Sequence, residues 1–139
     1  MSAQPGAPLW RRLAALFYDV LVLVALWMFA AALILLAFGG DVDVADQPLL
    51  YHLVLQITLL VLSAAYFVIS WSRGGQTIGM RAWRVRIVDA EGRSPKPAQS
   101  LMRFALALIS LIGGFGFIWC LFDADRRAWH DLMAKTRMV

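Results

Sequence analysis

The chain has 139 residues, of which 61% are hydrophobic and 16% charged, whereas a typical soluble domain is about 45–50% apolar and about 25% charged. A soluble domain of this length could not bury so much apolar side chain, because small domains bury the smallest share of their surface. The formal net charge is +4, but the 13 Lys and Arg residues are separated by long apolar runs. This spacing excludes the basic stripe of a nucleic-acid-binding protein, and we expect an integral membrane protein.

The first predicted element is a transmembrane helix. Residues 1–10 open with small, polar, Pro- and Gly-containing sequence and predict a flexible tail ahead of a membrane domain over residues 11–139. From Leu13 to Phe38 the chain is apolar except for Asp19, which is long enough to cross a ~30 Å hydrocarbon core. A cleaved signal peptide is the alternative, but its apolar core would span only about 7–15 residues and would not contain an acid.

A second transmembrane helix is predicted after a short acidic connector. Gly39 to Pro48 contains three acids and neither Lys nor Arg, and its composition is typical of a turn. Leu49 to Ser72 is uncharged and places Tyr51, Tyr66 and Trp71 where aromatic residues meet the membrane surface. This run therefore predicts a second span.

A basic segment follows the second helix. Arg73 to Arg103 carries seven basic residues. Within it, Trp83 to Val88 largely alternates apolar and charged residues, which is the period of a half-exposed strand. We expect a short β element at the membrane surface. The positive-inside rule predicts that the N-terminus and the loop 73–103 are cytoplasmic, in an inner cell membrane, with the acidic connector outside.

The third hydrophobic segment, Phe104 to Phe122, contains a glycine-rich break at residues 113–116. It is either a full span or a re-entrant hairpin. The hairpin is possible because the glycine break leaves about ten apolar residues on each side, which are too few to cross the membrane alone. A hairpin would keep all 13 basic residues on the cytoplasmic side and would let a terminal strand near Lys135 to Val139 pair with residues 85–88. The predicted fold class is thus an all-α integral membrane protein with two transmembrane helices, a glycine-broken third segment and a short cytoplasmic β element.

An ordered set of short motifs resembles the RDD family of small multi-pass membrane proteins. The set comprises Arg12-x6-Asp19, Gly75-Gln-Thr-Ile-Gly79, the Val85–Asp89 strand with Glu91-Gly92, Asp123, Arg126-Arg127, Trp129-His130-Asp131 and Ala134-Lys-Thr136. The resemblance implies a membrane domain whose molecular role is mostly undefined, with transport suggested. It also implies that the two defining acids are Asp19 and either Asp123 or Asp131. The chain departs from the pattern at Met80, where a basic residue is usual, and Arg81 is the candidate replacement.

Asp19 is the most informative polar residue. It would lie ~9 Å beyond Leu13 along the helix, inside or at the edge of the hydrocarbon, where an unpaired charge costs at least ~2.5 kcal/mol. Arg12 and Arg103 are the candidate partners for an ion pair with it. In one hypothesis Asp19 binds a monovalent cation or a proton on a transport path. In the other, a pair with arginine only fixes helix packing.

A second polar cluster lies near the C-terminus and contains Asp123, Arg127, His130 and Asp131. On a helix, Arg127 would form i, i+4 pairs with both aspartates. The cluster is therefore either a surface-capping helix or a cytoplasmic entry site for protons or ions beneath Asp19. It has no metal-ligand spacing, because no i, i+4 pair of histidines is present, and we expect neither a metal nor another cofactor.

Two functions follow from these patterns. The leading one is transport of a cation or small solute through Asp19, which would need a homo-oligomer, because two helices and a hairpin cannot enclose a pathway. The alternative is a non-catalytic membrane scaffold or regulatory subunit whose basic loop binds a partner protein or the anionic headgroups of the bilayer. An enzyme is not expected, since no nucleophile–base pair is visible.

Overall fold

The computed structural model of the chain describes residues 7–40, 43, 45, 47–113, 133 and 135–139. Its elements, in chain order, are α1 (Leu9–Ala37), α2 (Leu49–Gly74), the short α3 (Ile78–Ala82), β1 (Ile87–Asp89), α4 (Pro97–Gly113) and β2 (Thr136–Met138). α1 packs against α2 and α3, and α4 packs against α2. α1 begins at Leu9, inside the predicted tail, and residues 1–6 of that tail lie outside the described residues.

The two long helices have the composition and exposure of membrane helices. Within the described residues, only 11% of the most apolar stretch of α1 and 6% of that of α2 are buried. The core helix of a soluble protein would be mostly buried, so these exposed apolar faces are suited to lipid. The prediction of two helices long and apolar enough to cross a membrane is confirmed. α4 is a third, shorter apolar helix, and it begins at Pro97 rather than at Phe104.

Proline and glycine set the ends of these helices. Pro8 and Pro48 precede α1 and α2 in extended conformation, and Pro97 is the first residue of α4. Proline suits the first helical position, which Pro97 occupies, because it lacks the N–H that the first helical turn leaves without a partner. Gly75 ends α2 at a φ of 67°, and its N–H donates to the Trp71 carbonyl at 2.8 Å. Gly75 therefore makes a tight exit from the second helix.

The two strands join distant parts of the chain. β1 and β2 pair antiparallel, with Ile87 opposite Met138 and Asp89 opposite Thr136. The ladder continues through Arg86 and Val139, whose backbone groups bond to each other in both directions at 2.7 Å. The predicted terminal strand and its pairing with the basic segment are therefore confirmed. β1 does not include Trp83 or Arg84, because these two residues form the turn that ends α3.

The strands lie at one end of the long helices, which we call the sheet end. The backbone N–H of Ala7, just before α1, donates to the Met138 carbonyl at 2.9 Å. Near the start of α4, Arg103 Nη1 donates to Thr136 Oγ1 at 2.9 Å. β2 is therefore at the end where α1 and α4 begin and α2 ends. The predicted glycine break lies, apart from Gly113, outside the described residues.

Candidate functional site

Asp19 lies on the inward face of α1. The buried residues of this helix are spaced three, four or seven positions apart, which places them along one face: Arg12, Ala15, Asp19, Leu23 and Ala30. Asp19 is only 1% exposed. A carboxylate this far from water needs hydrogen-bond donors, because burying an unsatisfied charge is costly.

Three donors from α2 and the segment after it meet this carboxylate. The Tyr66 hydroxyl donates to Oδ1 at 2.7 Å, and the backbone N–H of Gly79 donates to the same oxygen at 2.8 Å. The Thr77 hydroxyl donates to Oδ2 in a short hydrogen bond. We call these four residues the Asp19 site. Its donors come from 47, 58 and 60 residues away in sequence, so the site exists only when α1, α2 and α3 are packed together.

The motif from Gly75 to Gly79 builds one side of this site. Thr77 is the N-cap of α3, and its Oγ1 accepts from the Met80 N–H at 3.2 Å while its hydroxyl proton goes to Asp19. Gly79 is required by a close approach of two backbones, since a Cβ on it would lie 2.1 Å from the Ala15 carbonyl oxygen. The motif thereby brings the start of α3 directly onto α1.

All donors that the described part of the chain gives to Asp19 are neutral. Hydrogen bonds from two hydroxyls and one amide stabilise a carboxylate, but they do not cancel its charge. Hydroxyl groups can also accept hydrogen bonds, so Tyr66 and Thr77 can adapt to a change at the carboxylate. Among the described residues, no group of three or more His, Cys, Asp or Glu side chains could hold a metal ion.

Arg12 and Arg103, the predicted partners of Asp19, instead reach β2. Arg12 is 7% exposed and donates from Nε to the Ala7 carbonyl at 3.0 Å and from Nη2 to the Met138 carbonyl at 3.5 Å. Arg103 is 2% exposed, bonds to Thr136, and lies 5.2 Å from the centre of the Trp71 ring. The two arginines thus hold the C-terminal strand against α1 and α4.

Comparison with known proteins identifies the family. The model of the RDD family matches residues 6–135. The chain belongs to the RDD family. An uncharacterized protein of Rickettsia prowazekii (strain Madrid E) is 29% identical over 94 residues, which cover 68% of this chain and 53% of that protein. The chain therefore spans about half the length of that relative. No solved structure matches the present chain. Family membership and the two apolar helices point to a membrane location.

For this RDD chain, the structure places one of the two predicted acids. Asp19 occupies the buried site, whereas the predicted cluster of Asp123, Arg127, His130 and Asp131 lies outside the described residues. The role of that cluster, as a surface cap or an ion entry site, stays a prediction.

Three residues of the Asp19 site were not predicted to meet this carboxylate. Tyr66 was predicted to lie at the membrane surface, and Thr77 and Gly79 belong to a motif for which no contact was predicted. Their role could have been sought from the shared pattern of a buried acid and a Thr-x-Gly sequence, since a helix N-cap followed by a glycine offers a carboxylate both a hydroxyl and an accessible N–H. The predicted partners of Asp19 were instead the positively charged Arg12 and Arg103.

Proposed function

We propose that this RDD chain binds a proton or a monovalent cation at Asp19 as one step of transport across an inner cell membrane. The observation that supports the proposal is a carboxylate buried to 1% exposure and held by neutral donors only. A negative charge in an apolar membrane protein favours a positive counter-charge, and in this site a mobile ion can supply it.

The hydroxyls of the Asp19 site suit proton exchange. When Asp19 is ionised, Tyr66 and Thr77 donate to it. When Asp19 is protonated, its own O–H needs an acceptor, and either hydroxyl oxygen can take that role by rotating its proton. The Gly79 N–H is fixed by the backbone and holds the carboxylate in both states. The site accommodates loading and release without moving a helix.

The orientation that we propose has the sheet end in the cytoplasm. Arg11, Arg12, the basic loop 73–103, Lys135 and Arg137 all belong to elements at that end, while the connector 39–48 is acidic, as the positive-inside rule requires. A single third span would place β2 at the opposite end, so the contact of Thr136 with Arg103 supports a chain that returns. Asp19 then lies in the cytoplasmic half of the membrane.

A transport path would require more than one copy. The two long helices and the shorter α4 of the described residues cannot surround a pathway, and the outward faces of α1 and α2 carry many exposed apolar side chains. Ala31 and Ala32 allow close approach of a second helix. We therefore propose a homo-oligomer in which the Asp19 site of each copy faces a shared or adjacent path.

The test is ion flux in proteoliposomes. We expect wild-type protein to move protons against sodium, potassium or lithium gradients, and Asp19→Asn to abolish the flux while thermal stability stays close to wild type. Asparagine can still accept from Gly79 but cannot carry the exchangeable charge. Asp89→Asn is the matched control, because Asp89 is a buried acid outside the membrane helices and should leave flux unchanged. Absence of flux from folded wild type under all three gradients would contradict the proposal.

A membrane scaffold is the second candidate, and the close packing at Gly79 favours it. The contact with Ala15 and the three hydrogen bonds to Asp19 also describe a clamp that fixes α3 onto α1. In that case Asp19→Asn would keep its fold and its partner, and substitutions in the basic loop would release the partner. The two candidates therefore differ first in whether folded wild-type protein carries flux, and then in whether Asp19→Asn abolishes it.

A further inference from the structure

A second feature of the sheet end is a group of partly exposed aromatic rings. The rings of Trp10 and Trp83 meet edge to face at 5.6 Å, and Tyr18 and Trp83 do so at 6.1 Å. Trp10 is 56% exposed and Tyr18 is 45% exposed. We call Trp10, Tyr18 and Trp83 the aromatic corner. Such rings prefer the boundary between hydrocarbon and headgroups.

The position of the aromatic corner along α1 fits that boundary. Below it, toward the middle of the helix, the outward face continues with the exposed apolar side chains of Leu21 and Val24. Above it lies the sheet end, with β1 and β2. The corner is therefore the place where an apolar helix face gives way to the polar end of the molecule.

Two exposed arginines, Arg11 and Arg84, adjoin the corner. The guanidinium carbon of Arg11 lies 5.3 Å from the centre of the Trp10 ring, and Arg84 directly follows Trp83. Neither residues 7–18 nor residues 73–88 contain an Asp or Glu. These two segments are therefore basic, and their charge complements an anionic headgroup.

The backbone at Arg84 is strained. α3 ends in a Schellman motif, in which the Val85 N–H donates to the Met80 carbonyl at 3.0 Å and the Arg84 N–H to the Arg81 carbonyl at 3.3 Å. The residue in the left-handed position of this motif is usually glycine, because a Cβ is unfavourable there. Here it is Arg84, at a φ of 54°. An arginine is thus held at a position that favours glycine.

We propose that the aromatic corner and its arginines form a binding site for the headgroup of an anionic phospholipid, with Arg84 as a main contact. The rings set the depth of the site at the membrane boundary, and the guanidinium groups bind the phosphate, for which their planar array of N–H donors is well matched. This site accounts for a positive charge at a strained backbone position. The proposal rests on the membrane location and not on transport.

The test uses the full chain in a neutral detergent and measures the midpoint of thermal unfolding against added phosphatidylglycerol, phosphatidylcholine or inorganic phosphate. A ligand that binds only the folded state raises this midpoint, and at a given concentration the rise is larger for a tighter ligand. We expect phosphatidylglycerol to raise it more than the other two. Arg84→Gly should weaken the apparent affinity for phosphatidylglycerol about fivefold, the effect of losing one basic contact near an anionic surface.

Arg84→Gly also separates binding from folding. Glycine relieves the strained φ, so the midpoint without lipid should stay the same or rise, and a loss of lipid affinity cannot come from unfolding. Lys135→Gly is the matched control, because Lys135 is exposed, basic and also left-handed, at a φ of 52°. It should leave the affinity unchanged. The proposal is overturned if Arg84→Gly binds phosphatidylglycerol like wild type, if Lys135→Gly weakens it equally, or if inorganic phosphate stabilises as strongly as the lipid.

Discussion

Asp19 and Asp89 are two buried carboxylates that are held in opposite ways. Asp19 is 1% exposed and Asp89 is 3% exposed. Asp89 Oδ1 accepts from the backbone N–H groups of Glu91 at 3.0 Å and Arg93 at 2.8 Å, and Oδ2 lies 3.7 Å from Arg93 Nε. These partners are two to four residues away in sequence, whereas those of Asp19 are 47 to 60 residues away.

The difference separates a local role from a tertiary one. The turn from Asp89 to Arg93 supplies its own donors and its own positive charge, so it can form before the helices are packed. The Asp19 site depends on three elements and supplies neutral donors only. Asp89 therefore stabilises a local turn, whereas the hydrogen bonds of Asp19 form only when α1, α2 and α3 are packed together.

The substitution with the largest expected effect on stability tests directly whether the Asp19 site depends on packing. Gly79→Ala would place a Cβ 2.1 Å from the Ala15 carbonyl oxygen, and both are backbone positions with little freedom to move. We expect the free energy of unfolding in mixed micelles to fall by about 3 kcal/mol. Gly74→Ala is the control, because its Cβ would meet only the end of the Arg81 side chain at 3.9 Å. Equal stability of the two variants would contradict the close packing.

A smaller effect is expected from truncating the two acids themselves. Asp19→Ala leaves two hydroxyls and one backbone N–H without their acceptor in a buried site, which should cost about 2 kcal/mol of unfolding free energy. Asp89→Ala should cost less, because water can reach the turn donors once the side chain is removed. Chemical unfolding of both variants in the same micelles gives the comparison, and a larger loss for Asp89→Ala would reverse the assignment of roles.

The smallest expected effect is a change of folding stability with pH that is caused by Asp89. The Arg93 N–H, helped by Glu91 and the charge of Arg93, holds the pKa of Asp89 below its ordinary value of 3.8 despite its burial. The unfolded chain then binds the proton more readily, so the contribution to stability is present above pH 3.8 and is lost as the pH falls through the lower folded pKa.

This dependence is measured as the difference in melting temperature between wild type and Asp89→Asn. Asparagine keeps an acceptor oxygen but does not titrate in this range. We expect the difference to be largest near neutral pH and to shrink on acidification. A difference that grows as the pH falls would show that the turn does not favour the ionised form.

Much of the helical architecture could be predicted, because a long uncharged apolar run in the sequence is itself the signal for a helix that faces lipid. The run to Phe38 and the run from Leu49 gave both long helices, and the pattern of the last residues gave β2 and its partner strand. The burial of Asp19 also followed from its place in an apolar run. These features depend on local composition or on the period of the chain.

The partners of Asp19 and the turn at Arg84 could not be predicted in the same way. Opposite charges are the visible signal for a buried acid, and Tyr66 and Thr77 carry none. α3 is five residues long, too short for a periodic pattern, and its left-handed end lacks the glycine that usually marks it. The strand was therefore predicted to begin at Trp83, and the structure begins it at Ile87.

The contact between Arg12 and Met138 also has a consequence for biosynthesis, because the two residues are 126 positions apart. A ribosome adding about 5–20 residues per second would make Met138 roughly 6 to 25 seconds after Arg12. During that interval the carbonyl of Met138, which accepts from Arg12, has not yet been made. The hydrogen bonds of Arg12 and Arg103 to β2 can therefore form only after residues 136–138 have been added, so this end of the fold is completed last.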